Sequence, residues 1–148
     1  MYIQWESSME LGNELIDTQH RILVLLCRKL DIAIKSWESE QTIRLVILEL
    51  KKFAEFHFMS EENLMHEIGY PKVDQHAMIH TGLLRQLDSM LVKINQHRET
   101  PDELLFFLKD WVDQHIKNED QKIAEYVRNS PRRPIGEKLY SEYLLSPK

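Results

Sequence analysis

Cysteine, glycine and proline are scarce in this 148-residue sequence, which has one, four and five of them respectively. The single cysteine, Cys27, has no partner for an internal disulfide. Because it lies in an apolar run, we expect a buried free thiol rather than a catalytic one. No apolar run reaches the roughly 18 residues of a membrane-spanning helix, and no charged-then-apolar leader is recognisable. These absences predict a soluble, cytoplasmic protein.

Basic charge is also in short supply, since 19 Lys and Arg residues face 24 Asp and Glu residues, a net charge of −5. The basic surface that nucleic acids and anionic membranes need is not indicated, so neither is an expected partner. Alternating β-branched and aromatic residues are rare, whereas Leu, Glu, Lys, Ile and Gln abound. This composition favours one all-helical domain, long enough to bury a core without cross-links.

Four helices follow from apolar residues that recur at spacings of three and four. They are predicted over residues 17–37, 40–66, 71–94 and 101–128. Gly69 is suited to end the second helix, and Pro71 fits the first turn of the third. The stretch Thr100-Pro-Asp-Glu103 has the pattern of a capping box with proline at the first helical position. Asp17, three residues before His20, either caps the first helix or supports a site around that histidine.

Short connections between long helices predict an all-α, antiparallel, up-down-up-down four-helix bundle. We assign residues 1–128 to the bundle, with residues 1–16 as an N-terminal arm. Residues 129–148 are then a C-terminal extension, because Ser130-Pro-Arg-Arg-Pro134 breaks the last helix. A short helix in the extension is predicted, with an apolar side formed by Leu139, Tyr140, Tyr143 and Leu144. That side would either pack onto the bundle or dock a protein partner.

Each predicted helix carries at least one histidine among apolar neighbours. His57 and Glu61 are four residues apart on the second helix, as are His76 and His80 on the third. Residues at this spacing share a helical face, so each pair can direct two donors at one point. A lone histidine in such surroundings is usually a core or surface residue. Here, however, His20 on the first helix and His115 on the fourth reach the same depth of an antiparallel bundle.

The two remaining histidines do not join this set. His66 follows His57 by nine residues, which is about half a turn around the helix at about 100° per residue. His97 lies too far along the axis beyond His80. Both are therefore predicted to lie on the surface.

The donors indicate two metal ions rather than one. The set contains no cysteine, which disfavours a zinc finger or an iron–sulfur cluster. The paired Glu-x-x-His motifs of ferritin-like bundles are missing from the sequence as well. Five histidines, Glu61 and an acidic residue after His115 are too many ligands for one ion. Spacing on a regular helix favours Glu119 for that last ligand, because Asp120 lies about 140° from His115.

Together these residues make the chain resemble the hemerythrin family, in particular the single-domain bacteriohemerythrins. The likeness spans roughly residues 1–125 and is carried by Trp5, IDTQH (16–20), HFMSEE (57–62), Met65, Tyr70-Pro71, HAMIH (76–80) and WVDQHIKNED (111–120). It implies that one iron is held by His76, His80 and His115, and the other by His20 and His57. It also implies that Glu61 and Asp120 bridge the two irons beside a solvent-derived oxo or hydroxo bridge. The family pattern thus selects Asp120 over Glu119, and a one-residue helical bulge would turn Asp120 inward.

This ligand set leaves one coordination position open, on the iron with two histidines. The resemblance therefore implies reversible O2 binding, for oxygen storage, transport or scavenging, by a protein that we expect to be monomeric. No acid, base or nucleophile is recognisable beside the open position, so an enzyme is not expected. Two alternatives remain: an O2- or redox-sensing domain that acts on a partner, and a diiron enzyme that reacts with nitric oxide or peroxide.

Overall fold

The computed structural model describes residues 4–130, and within them all regular structure is helical. A short 3-10 turn, Ser7–Met9, precedes the long helices. The helices are α1 (Glu14–Lys35), α2 (Glu40–Ile68), α3 (Val73–Asn95), α4 (Pro101–Gln114) and α5 (Asp120–Arg128). A π turn, His115–Glu119, joins α4 and α5 into one continuous fourth helix. The predicted all-α four-helix bundle is confirmed.

The division into residues 1–128 and 129–148 stays a prediction, because residues 131–148 lie outside the described part of the chain. The predicted short helix of the extension lies there too. Among the helices that are described, none is both long and apolar enough to cross a membrane.

The first helix begins three residues earlier than its apolar pattern predicted. Asn13 caps it by accepting a hydrogen bond from the backbone N–H of Ile16 at 3.1 Å. The carboxylate of Asp17 is therefore not the cap. It accepts hydrogen bonds from the backbone N–H groups of Leu11 at 2.8 Å and Gly12 at 3.2 Å. Asp17 thus fastens the N-terminal arm to the first turn of α1.

Most of the other helix ends lie at the capping and terminating residues expected from the sequence, with one exception. Ser39 caps α2 through the backbone N–H of Thr42, and Gly69 ends it in the left-handed conformation at φ 70°. Both halves of the capping box at Thr100 are formed. The placement of Pro71 in the first turn of α3 was wrong, because that helix begins at Val73 and Pro71 lies in the preceding turn.

Two apolar clusters fill the bundle. The larger one spans most of its length, with buried members such as Cys27, Leu50, Leu87 and Leu104. The smaller one lies near the N-terminus of α1 and the C-terminus of α2, with Ile16, Met65 and Ile123. His20, Glu61 and Asp120 fall between the two clusters along α1, α2 and the fourth helix, and His57 and His115 lie at the adjoining edge of the larger one. A polar layer is therefore enclosed by apolar side chains on both sides.

Removing a buried side chain from the larger cluster is expected to destabilise the protein. Leu50 is 1% exposed, whereas Leu45 on the same helix is 57% exposed. Leu50→Ala is expected to lower the free energy of unfolding by about 2–5 kcal/mol, because it removes buried methyl groups and leaves a cavity. Leu45→Ala is the matched control and should stay within about 0.5 kcal/mol of the parent protein. Urea unfolding measures both, and equal losses would contradict this placement of the core.

Candidate metal centre

All seven residues predicted from the sequence converge in the middle of the bundle. Each is at most 5% exposed: His20, His57, Glu61, His76, His80, His115 and Asp120. Their nitrogen and oxygen atoms form two overlapping groups, and within each group the potential ligand atoms lie within 4.8 Å of one another. One group has three histidines, His76, His80 and His115, and the other has His20 and His57. Glu61 and Asp120 belong to both groups.

Glu61 divides its two carboxylate oxygens between the groups. Its Oε2 lies 3.0 Å from His57 Nε2 and 3.4 Å from His20 Nε2. Its Oε1 lies 2.7 Å from His76 Nε2 and 3.2 Å from His80 Nε2. A carboxylate placed in this way can contact two cations at once.

Asp120 is arranged in the same manner. Its Oδ2 lies 3.1 Å from His20 Nε2, while its Oδ1 lies 3.2 Å from His76 Nε2 and 3.0 Å from His115 Nε2. Two carboxylates therefore connect the group of two histidines to the group of three. This is the donor arrangement that a pair of metal ions requires.

The π turn explains why Asp120, rather than Glu119, enters the cluster. The backbone N–H of Asp120 donates to the carbonyl of His115, five residues earlier, so the turn contains one residue more than an α-helical turn. The extra residue rotates Asp120 inward. The side chain of Glu119 is 34% exposed and pairs with Lys122 at 3.0 Å. The bulge expected from the family pattern is present, and the spacing argument for Glu119 was wrong about which carboxylate faces inward.

Several buried polar atoms in the cluster have no hydrogen-bond partner among the described residues. They are both ring nitrogens of His20, Oε2 of Glu61 and both oxygens of Asp120. Oppositely charged groups lie close by, but without hydrogen-bond geometry. Burying such atoms unpaired is costly, and bound cations at the centre of the two groups would satisfy them. The imidazole and carboxylate donors therefore fit a metal centre.

Protonated histidines balance the two carboxylates when no metal is bound. Burial lowers the pKa of His20, but the carboxylates of Asp120 and Glu61 close to its Nε2 outweigh it and raise that pKa to about 9. The pKa values of His76 and His115 are raised to about 9 for the same reasons. Since a metal binds only the neutral imidazole, metal binding must release these protons.

The carboxylates respond in the opposite direction. Burial raises the pKa of Glu61, but the close approach of His115, His20 and the other surrounding histidines outweighs it and lowers that pKa well below its usual range. The pKa of Asp120 is also lowered, since the close approach of His115 and His20 outweighs burial and the repulsion from Glu61. Both carboxylates are therefore ionised at neutral pH and available as ligands.

His57 differs from its neighbours, because burial dominates and lowers its pKa despite the nearby carboxylate of Glu61. It is 1% exposed, and its Nδ1 lies 2.8 Å from Oε1 of Gln19. This imidazole is thus held neutral and in contact with a buried amide.

Aromatic rings and a second carboxylate support the group of three histidines. The ring of Phe58 stacks on His80 with centroids 3.9 Å apart, and the ring of Trp111 stacks on His115 at 4.2 Å. Glu62 Oε2 lies 3.2 Å from His80 Nδ1. Sequence reasoning assigned no role to Gln19, Phe58 or Glu62. The available signal was that each adjoins a proposed ligand in the sequence.

The two histidines excluded on helical phase lie where the sequence predicted. His66 and His97 are both exposed. The Nδ1 atom of His97 lies 3.9 Å from a carboxylate oxygen of Glu40, at the N-terminus of α2 and away from the cluster.

Comparison with known proteins gives a consistent result. A family model described as "Hemerythrin HHE cation binding domain" matches residues 11–127, which include the whole cluster. A bacteriohemerythrin of Clostridium acetobutylicum is 31% identical over 128 residues, covering 83% of this chain and 97% of the relative. One from Pseudomonas aeruginosa (strain LESB58) is 30% identical over 143 residues, covering 97% and 93%. One from Stenotrophomonas maltophilia is 29% identical, covering 84% and 80%.

Proposed function

The chain belongs to the hemerythrin family, and from that premise we propose that it binds O2 reversibly at a non-heme diiron centre. The observation that carries this proposal is the pair of overlapping ligand groups that share Glu61 and Asp120. A single ion would leave part of this donor set unused. The similarity to bacteriohemerythrins supports iron as the metal and O2 as the ligand.

The residues divide between the two irons as the distances suggest. His76, His80 and His115 would hold one iron, and His20 and His57 the other. Glu61 and Asp120 would contact both, since each has one oxygen in each group. When bound, the iron pair supplies the electrons and the open coordination position that O2 binding requires. That position would fall on the side with two histidines, because the protein provides one donor fewer there.

The surroundings favour release of O2 over its chemical consumption. His20 and His57 are 0% and 1% exposed, and the cluster lies between two apolar regions. Such walls restrict the entry of water and the delivery of protons, which turnover would require. The chain's own contribution is therefore to hold the ligands rigidly and to keep the centre dry. Storage, transport and scavenging of O2 all depend on this same property.

The proposal is tested by loading the protein with ferrous iron under argon and counting the bound metal. About two irons per chain are expected from the ligand count. The nearly colourless reduced protein should turn red-violet in air and lose that colour again under argon, with stoichiometric O2 uptake and release. Irreversible oxidation without recoverable O2 would refute a carrier. Steady-state consumption of peroxide or nitric oxide would favour an enzyme instead.

A further inference from the structure

Gln19 links His57 to a serine on the neighbouring turn of α2. Its Oε1 lies 2.8 Å from His57 Nδ1, and its Nε2 donates to Ser60 Oγ at 3.0 Å. Gln19 is 3% exposed and comes from α1, whereas His57 and Ser60 come from α2. The amide therefore forms a hydrogen-bonded connection between two helices directly behind one of the proposed ligands.

The chemistry of imidazole determines which ring nitrogen of His57 faces Gln19 and which faces the cluster. His57 points its Nε2 toward the cluster, where Glu61 Oε2 lies at 3.0 Å. A neutral imidazole that offers the Nε2 lone pair to a metal must carry its hydrogen on Nδ1. The carbonyl oxygen of Gln19 is in position to accept that hydrogen. Ser60 Oγ accepts a hydrogen bond from the amide NH2 group and so holds the side chain of Gln19 in place, while the Nδ1–H of His57 selects the carbonyl oxygen as its partner.

Within the described part of the chain, His57 lacks the flat aromatic support that two ligands of the other group, His80 and His115, have. His80 and His115 each lie flat against an aromatic ring, at interplanar angles of 6° and 13°. The rings next to His57 are steeply tilted, at 67° to His20 and 51° to Phe58. No parallel stack on His57 is found in residues 4–130, so on the side away from the cluster the ring is oriented by the hydrogen bond to Gln19.

We propose that Gln19, held by Ser60, is a positioning residue that fixes His57 with its Nε2 lone pair toward the metal centre. This inference rests on the proposed function, since it assumes that His57 is a ligand. It adds two residues to the site, and neither of them touches the metals. It also predicts that one metal position, the one with two histidines, is selectively sensitive to changes at Gln19.

The test uses zinc in place of iron, because a diamagnetic ion allows the signals of His57 to be observed by NMR. Three variants and one control variant are compared with the parent protein. Gln19→Met keeps the length of the side chain but removes the acceptor, and Gln19→Glu restores an acceptor. Ser60→Ala removes the hydroxyl that holds the amide in place. The control, Gln75→Glu, makes the same chemical change at an exposed position that also precedes a proposed ligand, His76.

Zinc affinity is measured by competition with a chelator, and the state of His57 by long-range proton–nitrogen correlation in 15N-histidine protein. In the parent protein, His57 should carry hydrogen on Nδ1 and bind zinc through Nε2. Gln19→Met should weaken one of the two zinc positions by about 10–100-fold and broaden or shift the His57 signals. Gln19→Glu should restore affinity, Ser60→Ala should cause a smaller loss of affinity, and Gln75→Glu should match the parent.

Two results would overturn the inference alone: a Gln19→Met protein that matches the parent, or a Gln19→Glu protein as weak as Gln19→Met. If Gln19→Met does not fold by circular dichroism, Ser60→Ala decides, and parental affinity in that variant counts against the inference. A parent protein that binds neither zinc nor iron would overturn the proposed function, and this inference with it. Binding of two zinc ions combined with a change in Gln19→Met supports both.

Discussion

Asp120→Asn is expected to abolish stable binding of the metal pair. Asp120 is 0% exposed and has one oxygen in each ligand group, so both metal positions depend on it. Asparagine keeps the shape but loses the negative charge, and its NH2 group cannot act as a ligand. Since changes behind a ligand already cost about 10–100-fold in metal affinity, loss of a shared ligand should cost more than about 100-fold. Metal content after dialysis, measured by mass spectrometry, tests this.

Glu119→Gln is the matched control, since it makes the equivalent change one residue earlier. The side chain of Glu119 is 34% exposed and pairs with Lys122, and such surface pairs contribute about 0–1 kcal/mol. This variant should bind as much metal as the parent and unfold at the same urea concentration. The opposite pattern, with metal lost in Glu119→Gln and kept in Asp120→Asn, would show that the π turn is not present in the metal-bound protein.

The fold could be predicted from sequence because its signals are local and periodic. Apolar spacing located all four helices, and Gly69 and Thr100 marked ends that the structure confirms. The errors occurred where a local signal was ambiguous. Asn13 caps α1 ahead of its first regularly spaced apolar residues, and Pro71 is as compatible with a turn as with a first helical position.

The histidine pairs could be placed from spacing because residues four apart share a face of any regular helix. The last carboxylate could not be placed in this way, because His115–Glu119 does not form a regular α-helix. No residue pattern within His115–Glu119 predicts a π turn. The family pattern chose Asp120, and the extra residue in the turn supplies the physical reason.

Supporting residues were missed because their roles depend on contacts between helices. Gln19 and His57 are 38 residues apart, and Glu62 and His80 are 18 apart. Periodicity gives the face of each helix but not the register between two of them. Which amide or carboxylate lies behind which imidazole is decided by the packing of α1 on α2 and of α2 on α3.

The metal-free protein is expected to lose stability as the pH rises from about 6.5 to about 9. His20, His76 and His115 have pKa values of about 9 in the folded chain, compared with an ordinary value of 6.5. A histidine whose pKa is raised by folding contributes stability that is fully present below 6.5 and lost as the pH passes 9. Each pKa unit corresponds to about 1.4 kcal/mol, which for three independent histidines would sum to about 10 kcal/mol. Because the three share the same two carboxylates, their contributions are not additive, and the combined loss should be smaller, on the order of several kcal/mol.

The titration of other buried groups does not alter stability between about pH 6.5 and 9. The lowered pKa of His57 affects stability only as the pH falls below 6.5, and those of Glu61 and Asp120 only at more acidic pH. Burial raises the pKa of the Cys27 thiol to about 12, from an ordinary value of 9.0, so its contribution changes only above the window.

Urea unfolding in the presence of a chelator, at several pH values across this window, measures the loss. His76→Gln should flatten the pH dependence by removing one of the three groups, whereas His66→Gln, at an exposed position outside the cluster, should leave it unchanged. Metal ions replace the protons as partners of the carboxylates, so the metal-loaded protein should keep its stability across the same range. The difference between the two forms should therefore widen with pH. A metal-free protein that becomes more stable toward pH 9 would mean that the carboxylates do not hold these imidazoles in the protonated form.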